Sequence, residues 1–587
     1  MIWVCYLLGI FASSAALALA DVSTDLFSKT LNTPPWAQPQ QNASSLKCRC
    51  YPGDTCWPST SVWESFNATI NGQLIATTPL AAPCHNDAFS LYNVTECADL
   101  QAAWFTPNLH AKSPSSIMAP YFANNSCNPF LPASTPCIVG TYASYSVNVS
   151  QPMDISRTLW FAAYFNIRVV VKNTGHDYNG KSTGAGAISL WTHNLKKIQM
   201  LDYTSTNYTG KAIKVGAGVQ VEEAYAAASA QGLAIVGGEC PTVGYAGGYT
   251  QGGGHSALSS RHGLAADQVL EWEVVDGRGR LLKANPSLNA DLYWALCGGG
   301  GGSFGVVTSM ISKAYQDIPV TGANISFTNA GVSQAQFYDV VELYLKLLPT
   351  IVDSGAVTVS FLSSESFAIS PLTAPGLSSE KVYQLLSPLT EKLEQYNISY
   401  SYELQSFPGY LEQFRAQSAC SDVGTGLYGG RLISRSVVEQ KTTDLIAAFR
   451  YINNHGGVLA TIGLNVSPAV AGPVWNAVHE AWRDTLIQTV IQTPYNQTAA
   501  IAENKKAQDM ITYDFVPRLE RLTPGGGAYL NEGDFQQPDW QQAFYGNHYR
   551  ALQDIKNRFD PFHLLYAITA VGSEYWTPQQ DGRLCKA

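Results

Sequence analysis

Three glycine-rich segments place the strongest constraint on the fold of this 587-residue chain. They occupy residues 172–186 (KNTGHDYNGKSTGAG), 237–255 (GGECPTVGYAGGYTQGGGH) and 298–305 (GGGGGSFG). Glycine has no β-carbon, so main chain rich in glycine can approach a flat or bulky ligand closely. The segments therefore predict a binding surface that is built largely from backbone.

The first segment has the composition of a loop that binds a phosphorylated ligand. It follows residues 167–171 (IRVVV), a β-branched run that predicts a buried strand. Turns rich in Gly, Asn and Thr expose successive backbone N–H groups, which can hold a pyrophosphate. We interpret the segment as such an open turn rather than as a P-loop. A plain surface turn that contains His176 is the alternative.

The other two segments are less specific when each is taken alone. Cys240 lies within the second segment, where a disulfide or a buried core thiol is the ordinary alternative to a functional role. In the third segment Gly300, Gly302 and Gly305 match the GxGxxG dinucleotide pattern. That match is weak, because residues 306–308 (VVT) predict a strand where a dinucleotide-binding helix would begin.

The local pattern predicts an α+β chain. Between residues 137 and 315 it predicts strands at 212–215 and 234–236, a helix at 221–231, and a hairpin from 269–275 into 281–282 through the Asp276-Gly277 turn. Helices at 334–348 and 380–395 and a strand at 357–362 predict a second domain over about 320–520. A further helix is predicted at 540–558, before the Asp560-Pro561 stop.

Several features predict that the chain is exported. Residues 7–19 are apolar or small and Ala18-Leu19-Ala20 fits a signal-peptide cleavage site. Seven cysteines between residues 48 and 137 predict a loop-rich cap pinned by disulfides, with a zinc site near Cys48 as a minor alternative. N-glycans are expected because ten Asn-x-Ser/Thr sequons occur, at Asn42, Asn67, Asn93, Asn124, Asn148, Asn207, Asn324, Asn397, Asn465 and Asn496.

Charge and hydropathy argue against nucleic-acid and membrane partners. The chain has 35 Lys+Arg against 44 Asp+Glu, a net charge of −9, and no basic run, which argues against nucleic acid. After the signal peptide no apolar run reaches the roughly 18 residues that a membrane span needs. No residue spacing supports a metal site.

Three longer motifs resemble those of a known protein family. Residues 48–58 (CRCYPGDTCWP), 264–272 (LAADQVLEW) and 529–534 (YLNEGD), together with the glycine-rich segments, resemble the berberine-bridge-enzyme-like group of vanillyl-alcohol-oxidase (VAO)-type flavoproteins, especially its fungal secreted branch that includes isoamyl alcohol oxidase. The resemblance implies a PCMH-type split FAD-binding domain plus a substrate domain with an antiparallel sheet and covering helices. The expected regions are a signal peptide (1–20), a cysteine-rich cap (21–131), the FAD-binding domain (132–318), the substrate domain (319–522) and a return to the FAD domain (523–587).

The resemblance also implies a bicovalent FAD. His176, in a Gly-His-Asp motif, is expected to bond the flavin 8α-methyl, and Cys240, in a Cys-Pro-Thr-Val-Gly motif, is expected to bond flavin C6. Eleven cysteines follow the signal peptide, so assigning Cys240 to the flavin leaves an even ten for disulfides. Cys297 stands where many relatives have Arg, and is either a free thiol or a disulfide partner. The other residues expected to bind the cofactor are Lys172, Asn173, Thr174, Gly175, Asp177, Tyr178, Gly180, Ser182, Thr242, Val243, Gly244, Gly247, Gly248, Gly252, Gly253, Gly254, Gly305 and Val306.

Tyr529 and Asn531 are the expected catalytic residues, because they match the family's Tyr-x-Asn motif above the flavin. Tyr529 is the expected general base and Asn531 is expected to fix the geometry, with a packed core tyrosine as the alternative. An unperturbed tyrosine has a pKa of about 10, so a base of this type needs a cationic or hydrogen-bonding neighbour. Val243 matches a position where a small side chain admits oxygen, which favours an oxidase.

The remaining polar candidates are expected to be structural. Because a lone histidine in a structured segment is more often scaffold than catalyst, we expect His255, His262 and His548 to form ordinary hydrogen bonds. Asp267 is expected to be buried and paired.

The sequence therefore predicts a secreted FAD oxidase that removes a hydride from an alcohol-type C–H and reduces O2 to H2O2. Its substrate would be a small alcohol, a sugar or a natural-product intermediate. The alternatives are an FAD-dependent dehydrogenase, an oxidative cyclase of specialised metabolism and, least favoured, a non-enzymatic secreted flavoprotein or carbohydrate-binding glycoprotein. The intact His176, Cys240, Tyr529 and Asn531 argue against the last.

Overall fold

The computed structural model describes residues 47–86, 89–417 and 422–587. The predicted signal peptide, the Asn42 sequon and the first part of the predicted cap lie outside these residues. The strands are β1 (Leu74–Ala76), β2 (Tyr145–Asn148), β3 (Val169–Lys172), β4 (Ile188–Trp191), β5 (Ile198–Thr204), β6 (Thr209–Gly216), β7 (Leu233–Ala234), β8 (Val269–Asp276), β9 (Leu281–Ala284), β10 (Gly305–Lys313), β11 (Tyr315–Gln316), β12 (Val320–Thr328), β13 (Val357–Leu362), β14 (Ser366–Pro375), β15 (Tyr400–Phe407), β16 (Gly426–Ser434), β17 (Val458–Gly463), β18 (Thr485–Pro494), β19 (Trp576–Pro578) and β20 (Leu584–Lys586).

Helices alternate with these strands, which confirms the α+β prediction. The α-helices are α1 (Thr60–Thr69), α2 (Val94–Ala103), α3 (Pro107–Ala111), α4 (Pro152–Phe165), α5 (Val221–Ser229), α6 (Ser259–His262), α7 (Ala290–Leu296), α8 (Gln334–Asp353), α9 (Ser379–Gln395), α10 (Tyr410–Gln417), α11 (Arg435–Gln440), α12 (Thr442–Asn454), α13 (Pro468–Ala471), α14 (Ile501–Met510), α15 (Val516–Leu522), α16 (Trp540–Tyr545) and α17 (Tyr549–Phe559). Within the described ranges none of the helices is long and apolar enough to span a membrane.

Two sheets form the region that was predicted to bind FAD. One has four strands in the order β1-β2-β4-β3, and its β2–β4 and β3–β4 pairs are parallel. The other has five antiparallel strands in the order β5-β6-β10-β8-β9. The first glycine-rich segment leaves the end of β3 and the third leads into β10. The first sheet therefore fixes where the first segment begins, and the second sheet fixes where the third segment ends.

A seven-stranded antiparallel sheet forms the second region, in the order β15-β12-β14-β13-β17-β18-β16. Helices α8, α9 and α12 pack against it around a second apolar core. Helix α8 forms because Phe337, Val341, Tyr344 and Leu348 repeat at helical spacing and bury one face, and because the Ser333 hydroxyl caps its first turn.

Several local predictions are confirmed and two are wrong. The hairpin of β8 and β9, the strand at 357–362 and the strand after the third glycine-rich segment are present. The continuous helix predicted at 540–558 is interrupted, because Gly546 adopts a positive φ of 54° and starts a 3-10 turn between α16 and α17. The strand predicted at 234–236 is only the short β7, although Ile235 and Val236 are buried.

Disulfides pin the N-terminal part of the described chain, as the cysteine count predicted, and one of them also fastens the C-terminal end, which was not predicted. Those between described residues are Cys48–Cys585, Cys50–Cys56, Cys84–Cys97 and Cys127–Cys137. Cys48 and Cys585 lie 537 residues apart, so their bond fastens the C-terminal end beside the start of the described chain. Leu565 also forms a bridge with Val169 of β3. The C-terminal segment thus packs on the first region.

Candidate active site

A cavity of about 620 Å³ lies between the glycine-rich segments and the seven-stranded sheet. Main chain forms much of one wall, including Gly175, Gly244, Gly247, Gly248, Gly301 and Gly302. The facing wall is mostly apolar and is formed by Val359 and Phe361 of β13, Ala460 and Ile462 of β17, and Val490 of β18. One wall of the cavity is thus formed mainly by backbone, and the opposite wall, the roof, is formed by side chains of β13, β17 and β18.

The close approach of the segments explains why particular positions are glycine. A β-carbon at Gly244 would lie 1.9 Å from Asn173 Oδ1, so a larger residue would push the second segment away from the first. Gly175 has a φ of 84°, which other residues adopt only with strain, and this turn aims the next residue, His176, toward the cavity.

Residues 175–182 (GHDYNGKS) match P-loop spacing, so spacing does not exclude that motif. The structure does exclude it, because a P-loop opens a helix whereas this segment continues through turns into β4. The Lys181 backbone N–H donates to Asp177 and its ammonium donates to the Leu530 carbonyl at 3.4 Å. The segment is therefore an open turn, as predicted.

His176 lines the cavity and has an oxygen and a sulfur neighbour. Its Nε2 is 2.6 Å from Thr242 Oγ1 and 3.9 Å from Cys240 Sγ. Burial, followed by the nearby His110 and Lys172, lowers the pKa of His176 to about 3. The imidazole is consequently neutral at physiological pH, which is the form that can act as a nucleophile.

Lys172 stabilises the first glycine-rich segment from the side that faces away from the cavity. Its ammonium donates to the His110 carbonyl at 3.2 Å and to the Ser113 carbonyl at 2.8 Å. The side chain is completely buried, and burial lowers its pKa to about 7. Lys172 therefore joins the loop to the cap rather than facing the cavity.

Tyr529 and Asn531 lie together at another part of the cavity wall. The Asn531 amide donates to Tyr529 Oη at 2.8 Å and to the Gly248 carbonyl at 2.9 Å. Burial and then Glu532 raise the pKa of Tyr529, while Asn531 and the Gly254 backbone N–H oppose that rise. Two donors thus point at the phenolic oxygen, an arrangement that favours an accepting role for it.

His255 is a cavity residue that the sequence analysis assigned to the scaffold. Its Nε2 donates to Glu532 Oε1 at 3.2 Å, and its Nδ1 is 3.7 Å from Glu239 Oε1. Burial lowers the pKa of His255, but Glu532 and Glu239 outweigh it and raise the pKa to about 10. A buried cation between two acidic residues therefore adjoins Tyr529. The sequence does contain a signal for this charged group, because Glu239 immediately precedes Cys240 and Glu532 immediately follows Asn531.

The other structural expectations are met for His548 and Asp267, whereas His262 makes a ring stack in place of the expected hydrogen bond. His262 stacks on Tyr315, and His548 contacts the Ala477 carbonyl at 3.3 Å. The Asp267 side chain is buried and pairs with Arg483 at 2.7 Å.

The structure places the expected cofactor residues in two groups. Those on the cavity wall are Asn173, Thr174, Gly175, His176, Asp177, Tyr178, Ser182, Cys240, Val243, Gly244, Gly247, Gly248 and Gly305. Lys172, Gly180, Thr242, Gly252, Gly253, Gly254 and Val306 lie behind that wall. A β-carbon at Gly252 would lie 2.5 Å from the Asn531 amide nitrogen, so this glycine makes room for the catalytic candidate.

The cysteine-parity argument is wrong. Cys240 is disulfide-bonded in the structure, and the free cysteine among the described residues is Cys297. Cys297 is enclosed in the apolar core, where the Trp272 indole N–H donates to its sulfur at 3.2 Å. Burial raises the pKa of this thiol to about 12. The odd cysteine is thus a protonated core thiol.

The cavity fits a nucleotide-type cofactor. Two buried polar atoms of its lining residues, Asn173 Oδ1 and Gln251 Oε1, have no hydrogen-bond partner among the described residues. Unpaired buried polar atoms are costly, so they suit a ligand that has its own donors and acceptors. Apolar residues such as Val171, Val307 and Leu565 offer packing for a flat ring in the same cavity.

Comparisons with known proteins agree with this geometry. Residues 143–285 match the family model of the FAD binding domain, and residues 528–571 match that of berberine and berberine-like proteins. The FAD-linked oxidoreductase patO of Aspergillus clavatus is 49% identical over 542 residues, which cover 92% of this chain and 94% of that protein. The chain belongs to the VAO-type, berberine-like FAD-linked oxidoreductases.

Solved structures place this oxidoreductase in the same fold. The VAO-type flavoprotein MtVAO615 from Myceliophthora thermophila C1 is 39% identical and superposes with a TM-score of 0.87 over 92% of this chain and 100% of that one. Glucooligosaccharide oxidase from Acremonium strictum, described with a 6-S-cysteinyl, 8α-N1-histidyl FAD, is 18% identical, with a TM-score of 0.59 over 73% of this chain and 92% of that one. That second likeness shows the fold alone.

Proposed function

We propose that this FAD-linked oxidoreductase is a secreted oxidase that takes a hydride from an alcohol-type C–H bond and reduces O2 to H2O2. The observation that carries the proposal is the Tyr529 oxygen, held by the Asn531 amide in the same cavity as His176. When bound, FAD supplies the hydride acceptor at N5.

The side chains of this protein supply the proton acceptor. Tyr529 takes the hydroxyl proton of the substrate, while the Asn531 and Gly254 donors stabilise charge on its oxygen. Because burial and Glu532 raise the pKa of Tyr529, the competent phenolate is a minor species at neutral pH, and its population grows as pH rises. His255 remains charged below its pKa of about 10 and keeps Glu532 hydrogen-bonded.

The roof of the cavity accommodates an apolar or ring-shaped substrate. Phe361 and Val359 of β13 contribute apolar surface, and Tyr178 stacks on Tyr428 with ring centroids 4.1 Å apart. Such surfaces pack against sugars, small alcohols and natural-product intermediates. The oxidase assignment is supported by Val243, a small cavity residue at the position where the family admits oxygen, and by the name of the VAO-type flavoprotein oxidase VAO615 of Thermothelomyces thermophilus, which is 39% identical.

This function is tested by reducing the bound flavin with candidate substrates in the absence of oxygen and then admitting air. We expect the yellow colour of the purified protein to bleach with a class of alcohols, sugars or polyketide-like compounds and to recover rapidly when air is admitted. Slow recovery would contradict the oxidase and favour a dehydrogenase with another acceptor. A protein that no alcohol or sugar bleaches would contradict the proposed substrate class.

We further propose that the FAD is held by two covalent bonds, through His176 and Cys240. The neutral His176 imidazole and the nearby Cys240 sulfur support this, as does the linkage described for glucooligosaccharide oxidase. One sulfur cannot hold a disulfide and a flavin at once, so this link excludes the disulfide that Cys240 forms in the structure. Its test is flavin release on denaturation: His176→Ala and Cys240→Ala should each retain flavin through the other bond. Complete release by either single variant would contradict two independent bonds.

Secretion and N-glycosylation are part of the same proposal. The sequons at Asn93, Asn397 and Asn496 are exposed, so an oligosaccharide can be attached without unfolding the chain. Protein collected from culture medium should begin at Asp21 and lose mass on enzymatic removal of N-glycans. Retention of residues 1–20 or an unchanged mass would contradict it.

A further inference from the structure

Thr242 occupies a position between the two residues that are proposed to bind the flavin. Its hydroxyl oxygen is 2.6 Å from His176 Nε2 and 3.4 Å from Cys240 Sγ. Thr242 itself lies behind the cavity wall, and its carbonyl accepts a hydrogen bond from the Gln220 amide at 2.9 Å. The hydroxyl therefore has a fixed backbone and contacts both side chains.

The chemistry of the sulfur decides which way these hydrogen bonds run. A sulfur in a disulfide or a thioether carries no proton, so Cys240 can only accept, whether it is disulfide-bonded or bonded to a flavin. The single hydroxyl proton of Thr242 then points to Cys240, and Thr242 Oγ1 accepts the proton of His176 Nε2. This is the arrangement in which both contacts are hydrogen bonds.

We infer that Thr242 is a positioning residue that fixes the Nε2–H tautomer of His176 and leaves Nδ1 as the nitrogen that bonds the cofactor. In neutral imidazole one nitrogen carries the proton and the other carries the reactive lone pair, and a hydrogen-bond partner selects between them. The low pKa of His176 agrees with a neutral ring. The inference rests on the proposed His176–flavin bond.

The formation of the His176–flavin bond balances when O2, the electron acceptor of the proposed function, is the oxidant. Forming it replaces one C–H of the 8α-methyl group and the remaining imidazole N–H by one C–N bond. Two electrons and two protons leave, and O2 takes them to give H2O2. Thr242 takes no part in this oxidation; it determines which nitrogen is available.

The test measures the fraction of the tryptic peptide 173–181, which contains His176, that carries flavin. The variants are Thr242→Val, which removes the hydroxyl at similar volume, and Thr242→Ser, which restores it. Thr250→Val is the matched control, because Thr250 is a buried threonine of the same glycine-rich segment whose hydroxyl bonds the Tyr245 carbonyl. Total bound flavin and the unfolding midpoint are recorded for every protein.

We expect Thr242→Val to lower the flavin-bearing fraction of this peptide, measured early in the incorporation of FAD, about tenfold, because loss of one hydrogen bond worth ~1.4 kcal/mol lowers the population of the reactive tautomer by that factor. Thr242→Ser and Thr250→Val should match the wild type. An unchanged fraction in Thr242→Val would overturn the inference, as would loss of all bound flavin, which would show that Thr242 acts on binding. If the wild-type peptide carries no flavin, the His176 bond in the proposed function fails and this inference fails with it.

Discussion

Tyr529→Phe should slow reduction of the flavin by substrate about 10²- to 10⁴-fold, the range over which a positioned acid or base contributes. The substitution removes only the oxygen that accepts from the Asn531 amide and keeps the ring that packs edge-on to Trp482. The rate constant is measured anaerobically in a stopped-flow instrument with excess substrate. The amount of bound flavin and the melting temperature should be unchanged.

The pH dependence separates a base from a packing residue. Because the pKa of Tyr529 is raised, the wild-type rate should increase with pH between about pH 6 and 9, whereas Tyr529→Phe should lose this dependence. His255 does not confound this range, since its pKa is about 10. Tyr245→Phe is the matched control, because Tyr245 is buried, bonds Ser312 and does not line the cavity. A wild-type rate in Tyr529→Phe would remove Tyr529 from catalysis.

The parts of the fold that the sequence predicts are those whose stability is local. The β-branched run before residue 172, the hairpin at Asp276-Gly277 and the amphipathic face of α8 depend on spacing within a few residues, and each is present. The helix predicted at 540–558 fails at Gly546, where Glu480, distant in sequence, hydrogen-bonds Asn547. Contacts of that kind leave no periodic signal in the chain.

The site residues that the sequence predicts are likewise those that local sequence determines. His176, Cys240 and Tyr529 are predicted because each lies in a contiguous motif, and the structure brings all three to one cavity. The charged group of His255 and Glu532 is missed because the two are 277 residues apart and their importance arises only when folding removes both from water. The parity argument for Cys240 fails similarly, because a count of cysteines does not show which of them come into contact.

Asp267→Ala should lower the free energy of unfolding by about 3–5 kcal/mol, the cost of breaking a buried ion pair from one side. The Asp267 carboxylate accepts from both terminal nitrogens of Arg483, at 2.9 and 2.7 Å, from the Asn476 amide at 2.6 Å and from the Leu264 N–H at 2.8 Å. Its side chain has no exposed surface, while that of Arg483 is 19% exposed. Alanine would leave these donors without their acceptor in a place that water barely reaches.

The position of this pair links stability to the site. Arg483 lies next to Trp482, whose ring packs against Tyr529, and two residues before β18, which contributes to the cavity roof. The loss is measured by urea unfolding, with Asp202→Ala as control, because Asp202 forms an exposed ion pair with Lys211 and its removal should change little. Equal stability of Asp267→Ala and Asp202→Ala would show that the Arg483 contact contributes no net stability. A large loss confined to Asp267→Ala would show that this buried pair stabilises the fold beside Trp482 and Tyr529.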